Sequence, residues 1–407
     1  MQLWLPKILI VSNEIRGLGH VSIALKICAR IRAEFGDVSM LLITASPMAH
    51  AFPLPEGLDV VKIPGLREDN PTEYRPSRLP LGFQEVKRLR QRVIQEAALA
   101  YSADLVLVDY RPAGVAGELL PTLRMLKRRQ VPLILLLRDI LDDPTSVRTR
   151  WQADSAVAAL GKYDEVWIYG CQNHYDPIVE YQLPENVARK IRFCGYLDVE
   201  QPAVSGEEIR STLGAGAEPL ALVTIGNGRV GFPLLDAYMC ALAYLPSDFA
   251  IFSVIIGGPE LPPEQCKVIE QQCQFIATRY PQRPAHFLSF SPRLLDYMAA
   301  ADLVVSLGGY NTMTEILSLQ KRAIVVPSVY PTKEQLIRAS LMERFGLIRM
   351  LHPDQLSPVV LAKSILVALH DQPPTRQRLR ELGFDFGGLQ RIQDHVVRVL
   401  GRKAAHE

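Results

Sequence analysis

Short apolar runs alternate with amphipathic segments along nearly the whole chain, and that alternation leaves little choice of fold. Runs at 7–13, 38–45, 58–63, 105–109, 132–137, 165–169 and 191–194 are rich in Val, Ile and Leu, and 83–101 and 114–129 read as helices between them. A second series has strands at 220–225, 251–256, 286–290, 303–306 and 323–326, with helical segments between and after them. Continuously apolar strands separated by helices mean parallel sheets covered on both faces. The expected architecture is α/β, with two doubly wound, Rossmann-like domains facing across a cleft. At 407 residues, two domains is also the default for a single chain. The polar stretch 201–218 is the expected linker between domains 1–200 and 219–374, and 375–407 is expected to close the chain as a helix. Prolines and charges make 67–81 read as a long loop.

A net charge of +2 gives no mandate for nucleic acid, which calls for a strongly basic domain. The cluster Lys87, Arg88, Arg90 and Arg92 reads first as a solvated helix face, and second as a dock for an anionic acceptor or a membrane surface. The six cysteines show no CxxC spacing, and several sit in apolar runs, as reduced, buried thiols do. The chain shows no leader-like segment and no apolar run long enough to span a bilayer, so the expected location is cytoplasmic, peripheral to the membrane if the acceptor is there.

The stretch Ser306-Leu307-Gly308-Gly309-Tyr310-Asn311-Thr312-Met313-Thr314-Glu315 follows the run 303–305 and opens an amphipathic segment. That is a strand, a glycine turn and a helix start. Gly308 and Gly309 let the backbone approach a ligand closely. The amides of Tyr310, Asn311 and Thr312 at a helix N-terminus suit an anion, and a diphosphate is the natural guest. Glu315, one turn further on, can accept hydrogen bonds from a ribose diol. The plainer alternative is that Asn311 or Thr312 caps the helix and Glu315 completes a capping box.

In parallel sheets ligands bind beyond the carboxyl ends of the strands. That rule gathers His20, Asp109, Tyr110, Arg111, Asp139 and Gly170 on one rim. On the other it gathers Gly226-Asn227-Gly228, Gly257-Gly258, Phe290-Ser291, the 308–315 turn and the 330–335 segment.

Gly309-Tyr310-Asn311-Thr312, Glu315, Val325-Val326-Pro327 and Glu334-Gln335 together resemble the donor site of GT-B glycosyltransferases. The peptidoglycan-precursor N-acetylglucosaminyltransferase family is the nearest likeness, and Gly17-Leu18-Gly19-His20 matches its amino-terminal glycine-histidine loop. The signature is also similar to that of plant small-molecule glycosyltransferases. Leu137-Arg138-Asp139 through Pro144, with Gly117 to Pro121, looks like a bacterial group predicted to be glycosyltransferases. The resemblance implies that Glu315 binds the ribose. It places the diphosphate on the backbone of Gly308 to Thr312 and of Gly226-Asn227-Gly228, with help from Arg229. Gln335 and Glu334 would then touch the sugar, and Phe290 and Ser291 would lie beside the base. Where the plant signature has a phosphate-binding histidine, this chain has Leu307, which leaves more of the work to main-chain amides.

Sugar transfer needs a base, stabilisation of the departing diphosphate, and positioning. No Asp-x-Asp pair follows a strand, and the adjacent Asp142 and Asp143 would not face each other on a helix. Amides at a helix mouth can do the stabilising, so no metal and no cofactor beyond the nucleotide sugar are expected. His20 is the expected base, since an imidazole near pKa 6.5 accepts a proton at neutral pH. Asp139 is expected either to orient it or to serve as base itself. A single displacement by the acceptor hydroxyl would invert the anomeric centre. The alternatives on the same scaffold are a UDP-sugar hydrolase, a 2-epimerase using Asp109, Asp139 and Glu118, and a non-catalytic nucleotide-sugar-binding subunit.

Overall fold

The structure, a computed structural model, describes residues 5–12, 18–70, 73–153, 155–199 and 201–404. These fall into two compact units, 1–197 with 385–407, and 198–384.

The first unit contains β1 (Lys7–Ser12), β2 (Ser39–Thr44), β3 (Leu58–Lys62), β4 (Leu66–Asn70), β5 (Glu73–Pro76), β6 (Leu105–Asp109), β7 (Leu133–Arg138), β8 (Glu165–Tyr169) and β9 (Ile191–Phe193). All but β4 and β5 form one sheet in the order β3-β2-β1-β6-β7-β8-β9, with every pairing parallel. All five residues of β6 are buried, and so are the first five of β7, as expected for strands covered on both faces. Leu9, Val11, Val106, Val108, Leu135 and Leu137 feed one core. The alternate residues of each strand face the opposite side of the sheet.

The second unit contains β10 (Leu220–Thr224), β11 (Phe252–Ile256), β12 (Ala285–Leu288), β13 (Leu303–Ser306), β14 (Arg322–Val325) and β15 (Arg349–Met350). Its sheet runs β12-β11-β10-β13-β14-β15, again all parallel. Counted from its first strand, that is the 3-2-1-4-5-6 order of a dinucleotide-binding fold. Once the β4–β5 hairpin is set aside, the first unit has the same order with a seventh strand, β9, added after the sixth.

Three expectations are corrected. Residues 67–81 are not all loop, because β4 and β5 pair as an antiparallel hairpin. Strand β4 is mostly charged and has little β-propensity of its own. Leu66 and Tyr74 nevertheless bury against Val86 and Val115, and Tyr74 stacks on Phe83 at 5.7 Å, so tertiary packing overrides propensity. Residues 201–218 are not a linker but part of the second unit. The helix Gly206–Leu213 is capped by the Ser205 hydroxyl and buries Ile209, and the Asp296 carboxylate accepts the Ala203 amide at 2.8 Å.

The closing helix is two helices, Arg376–Glu381 and Gly388–Ala404, and the second packs on the first unit. Gly383, at φ 78, ends the first of them. Gly388 starts the second where its amide reaches Tyr196 O at 2.9 Å; a Cβ there would lie 2.6 Å from the same oxygen. Arg398 then grips Glu165 with two bonds, at 2.8 and 2.7 Å.

The described cysteines are free thiols. Burial pushes Cys28 and Cys194 up to about 12, so neither is a nucleophile near neutral pH. Among the described residues no helix is long and apolar enough to cross a membrane.

Candidate active site and donor site

In the second unit β10 lies between β11 and β13, so the connections leaving β10 and β13 diverge and open a crevice at their carboxyl ends. The turn after β10 contains Gly226 at φ 65 and Gly228 at φ 92. The Asn227 carboxamide accepts the Arg229 amide at 3.2 Å, and the Arg229 side chain is exposed. Gly258, after β11, fits so closely under this turn that a Cβ would lie 2.4 Å from the Asn227 carbonyl carbon.

On the other side of the crevice, Gly309 is the N-cap of the helix Tyr310–Ser318, and no side chain caps that helix. The capping box considered from sequence therefore does not form. The first rung of the helix is Met313 N to Gly309 O at 2.9 Å, so the amides of Tyr310, Asn311 and Thr312 lie ahead of the ladder at the positive end of the dipole. Glu315, partly exposed, sits one turn further along that helix. Phe290 and Ser291 follow β12, and the Ser291 hydroxyl accepts the Arg293 amide at 3.1 Å.

Gln335 and Glu334 are engaged in holding this turn. The Gln335 Oε1 accepts the Gly308 amide at 3.1 Å and the Ser328 amide at 3.0 Å, tying the β13 turn to the loop after β14. Two backbone donors fix which end of the carboxamide is oxygen, and leave Nε2 as the end that a sugar hydroxyl could use. Glu334 pairs at 2.8 Å with Arg338, which is buried, donates to Gly308 O at 3.3 Å and lies over the Tyr310 ring. The sequence reading missed Arg338, because an arginine on a helix looks like solvent-facing charge.

In the first unit the same kind of crevice lies between β1 and β6, where Ser12 and Asp109 are in register. Gly17 lies outside the described residues. Gly19 and His20 begin the helix Gly19–Phe35, and His20 is buried there. Its Nδ1 lies 2.6 Å from Asp109 Oδ2, and Tyr169 Oη donates to Asp109 Oδ1 at 2.8 Å. An ionised carboxylate only accepts, so the neutral imidazole carries its proton on Nδ1 and leaves Nε2 with a lone pair. The Tyr110 ring packs against His20 at 4.7 Å. Tyr110 has φ 74 and the Arg111 amide returns to Asp109 O at 3.0 Å, a strained γ-turn just after the carboxylate. Arg111 lies between the Tyr74 and Tyr110 rings and donates to Tyr74 Oη at 2.8 Å.

The carboxylate that holds His20 is therefore Asp109, not Asp139. Asp139 accepts the Ile140 amide at 2.7 Å and packs so tightly on Gly170 that a Cβ there would come within 2.5 Å of its own. Glu118 is fully buried in a two-bond pair with Arg90, at 2.7 and 2.5 Å, which takes it out of proton transfer. The same pair removes Arg90 from the basic surface read from sequence. Asp142 pairs with Arg150 at 3.2 Å, and Asp143 caps the next helix through Ser146. Among the described residues no cluster of three or more His, Cys, Asp or Glu side chains is arranged to hold a metal ion.

Residues 254–383 match the glycosyltransferase family 28 C-terminal domain. The match takes in the loops after β11 to β14, hence the Gly308 turn, Glu315 and Gln335. Among characterised relatives, a UDP-N-acetylglucosamine–N-acetylmuramyl-(pentapeptide) pyrophosphoryl-undecaprenol N-acetylglucosamine transferase of Clostridium perfringens is 38% identical over 77 residues, 18% of this chain and 22% of that protein. The protein of the same name from Acetivibrio thermocellus is 26% identical over 225 residues, 53% of this chain and 58% of its own length. The chain thus matches about a fifth of the first relative's length and somewhat over half of the second's. A UDP-glucosyltransferase from Polygonum tinctorium superposes over 98% of this chain and 100% of its own, with a TM-score of 0.67 at 12% identity. At that identity the likeness shows the fold: two Rossmann-like α/β domains of the GT-B type.

Proposed function

We propose that the chain is a glycosyltransferase that moves a sugar from a nucleoside diphosphate donor, a UDP-sugar, to an acceptor hydroxyl, with inversion and without a metal ion. The observation that carries this reading is the His20–Asp109 pair at the crevice of the first unit. It presents a lone pair on Nε2, the arrangement a proton acceptor needs. His20 would take the acceptor's proton as the oxygen attacks. General base assistance of this kind contributes ~10²–10⁴ in rate.

The second unit supplies the donor site. The amides ahead of the helix Tyr310–Ser318 and the Gly226-Asn227-Gly228 turn would cradle the diphosphate. Main-chain donors and a helix dipole fixed in place stabilise a departing anion without reorganising. Glu315 would take the ribose hydroxyls, Phe290 and Ser291 the base, and the Gln335 Nε2 a sugar hydroxyl. A single displacement would invert the anomeric centre; Asp109, held to His20, and Glu118, sealed in its ion pair, are engaged elsewhere and speak against a carboxylate nucleophile at those two positions. The named acceptor of the curated relatives is a pyrophosphoryl-undecaprenol. For this chain we carry over the class, an anionic or membrane-borne acceptor met by an enzyme peripheral to the membrane.

A panel of nucleotide sugars, incubated with and without acceptor extracts, tests the reading. Release of nucleoside diphosphate is expected only when acceptor is present. Release without acceptor would make the protein a hydrolase, an isomerised donor would make it an epimerase, and no turnover in any mixture would leave a binding subunit.

A further inference from the structure

We infer that Tyr169 is a positioning residue for the base, acting through Asp109; the inference rests on the reading of His20 as that base. Asp109 and Tyr169 end strands β6 and β8, with β7 between them, and both are at most 2% exposed. Residues 105, 107 and 109 alternate away from the core that Val106 and Val108 enter, and 167 and 169 alternate away from the same core, which Val166 and Ile168 enter. Asp109 and Tyr169 therefore share the other side of the sheet.

From there Tyr169 reaches across β7 and donates to Asp109 Oδ1 at 2.8 Å, while His20 Nδ1 holds Oδ2 at 2.6 Å. Each carboxylate oxygen has one partner, so the carboxylate plane is fixed by the tyrosine and the imidazole plane by the carboxylate. A carboxylate bound only to the histidine could turn about its own χ2, and the ring would turn with it. A tyrosine whose only task was to fill the core would have no need of a hydroxyl, and phenylalanine would bury the same area without a polar atom to satisfy. In other base–carboxylate pairs, changing the orienting carboxylate leaves the geometry intact but admits the wrong imidazole tautomer, at a cost of ~10⁴ in kcat. Tyr169 stands one bond further out, so its removal loosens that orientation rather than abolishing it.

The test is Tyr169→Phe in the full chain, with folding checked by its thermal transition. The expected result is a kcat reduced by roughly tenfold or more, short of the ~10⁴ that losing the carboxylate itself costs, with the donor KM unchanged. Combined with Asp109→Asn, the same substitution should cause no further loss. The nitrogen shifts of the His20 ring, assigned by comparison with His20→Gln, should move from a single Nδ1-protonated tautomer toward a mixture. An unchanged kcat, an undiminished loss in the Asp109→Asn background, or an unaltered His20 ring spectrum would each overturn the inference. If the wild-type protein transfers no sugar, it is the reading of His20 as base that fails. The ring spectrum then decides by itself whether Tyr169 orients His20.

Discussion

Replacing His20 with alanine is expected to lower kcat by ~10²–10⁴ while leaving donor affinity nearly unchanged; it also strips the buried Asp109 of one of its two partners, so the thermal transition is expected to fall as well. The size follows from what Nε2 does. Without the imidazole the acceptor hydroxyl must attack while still protonated, or lose its proton to water or to the more distant Asp109 carboxylate. Donor affinity should hold because every group assigned to the nucleotide lies in the second unit, on the turns after β10 and β13 and along the helix Tyr310–Ser318. Steady-state kinetics with saturating donor, together with titration of UDP into the variant, separates the two quantities. A His20→Ala protein that keeps most of its kcat would take the base away from this residue.

The largest expected loss of stability comes from Arg90→Ala. Arg90 and Glu118 are both fully buried, and the guanidinium also donates to Pro64 O at 2.6 Å. Glu118 in turn accepts the Val115 amide at 3.3 Å, within a segment where Tyr110, Gly114, Ala116 and Gly117 all have positive φ. Removing the arginine leaves a carboxylate buried without its counter-charge. Breaking such a pair costs about 3–5 kcal/mol, whereas replacing both partners with apolar groups of similar volume is often close to neutral. Thermal unfolding of Arg90→Ala should therefore show a drop of roughly 6–20 °C, taking about 2–4 °C per kcal/mol for a unit of this size. Arg90→Met combined with Glu118→Leu should recover most of it. Equal losses in the single and double variants would mean that the pair does not hold this loop.

The sheet strands were legible in the sequence because a parallel strand buried on both faces is apolar along nearly its whole length, and 105–109 and 220–224 are short, Val- and Leu-rich runs of that kind. The β4–β5 hairpin was not, because Leu66 and Tyr74 acquire their value only from Val86, Val115 and Arg111, which are distant in sequence. The end of the long carboxy-terminal helix could have been read from Gly383, Gly387 and Gly388, three glycines within six residues that amphipathic periodicity obscured. In the candidate donor site, the glycine turn and Glu315 were readable as a strand–turn–helix pattern. The use of Gln335 Oε1 as a tie between two loops was not, since it depends on Ser328 N and Gly308 N meeting at one atom. Asp109 and Asp139 both end apolar strands, and sequence gives no means to choose between them. Strand order does, because β6 is the neighbour of β1 and β7 is not, so only Asp109 comes within reach of the helix that begins at Gly19.

On the proposed function, main-chain amides at the start of the helix Tyr310–Ser318 hold the donor's diphosphate, with Glu315 on its ribose. A crystal structure of the protein with bound UDP tests this most directly. Phosphate oxygens are expected within hydrogen-bonding distance of amides in the Gly308 to Thr312 stretch, and both ribose hydroxyls on the Glu315 carboxylate. UDP bound away from that turn, or a ribose with no contact to Glu315, would contradict it.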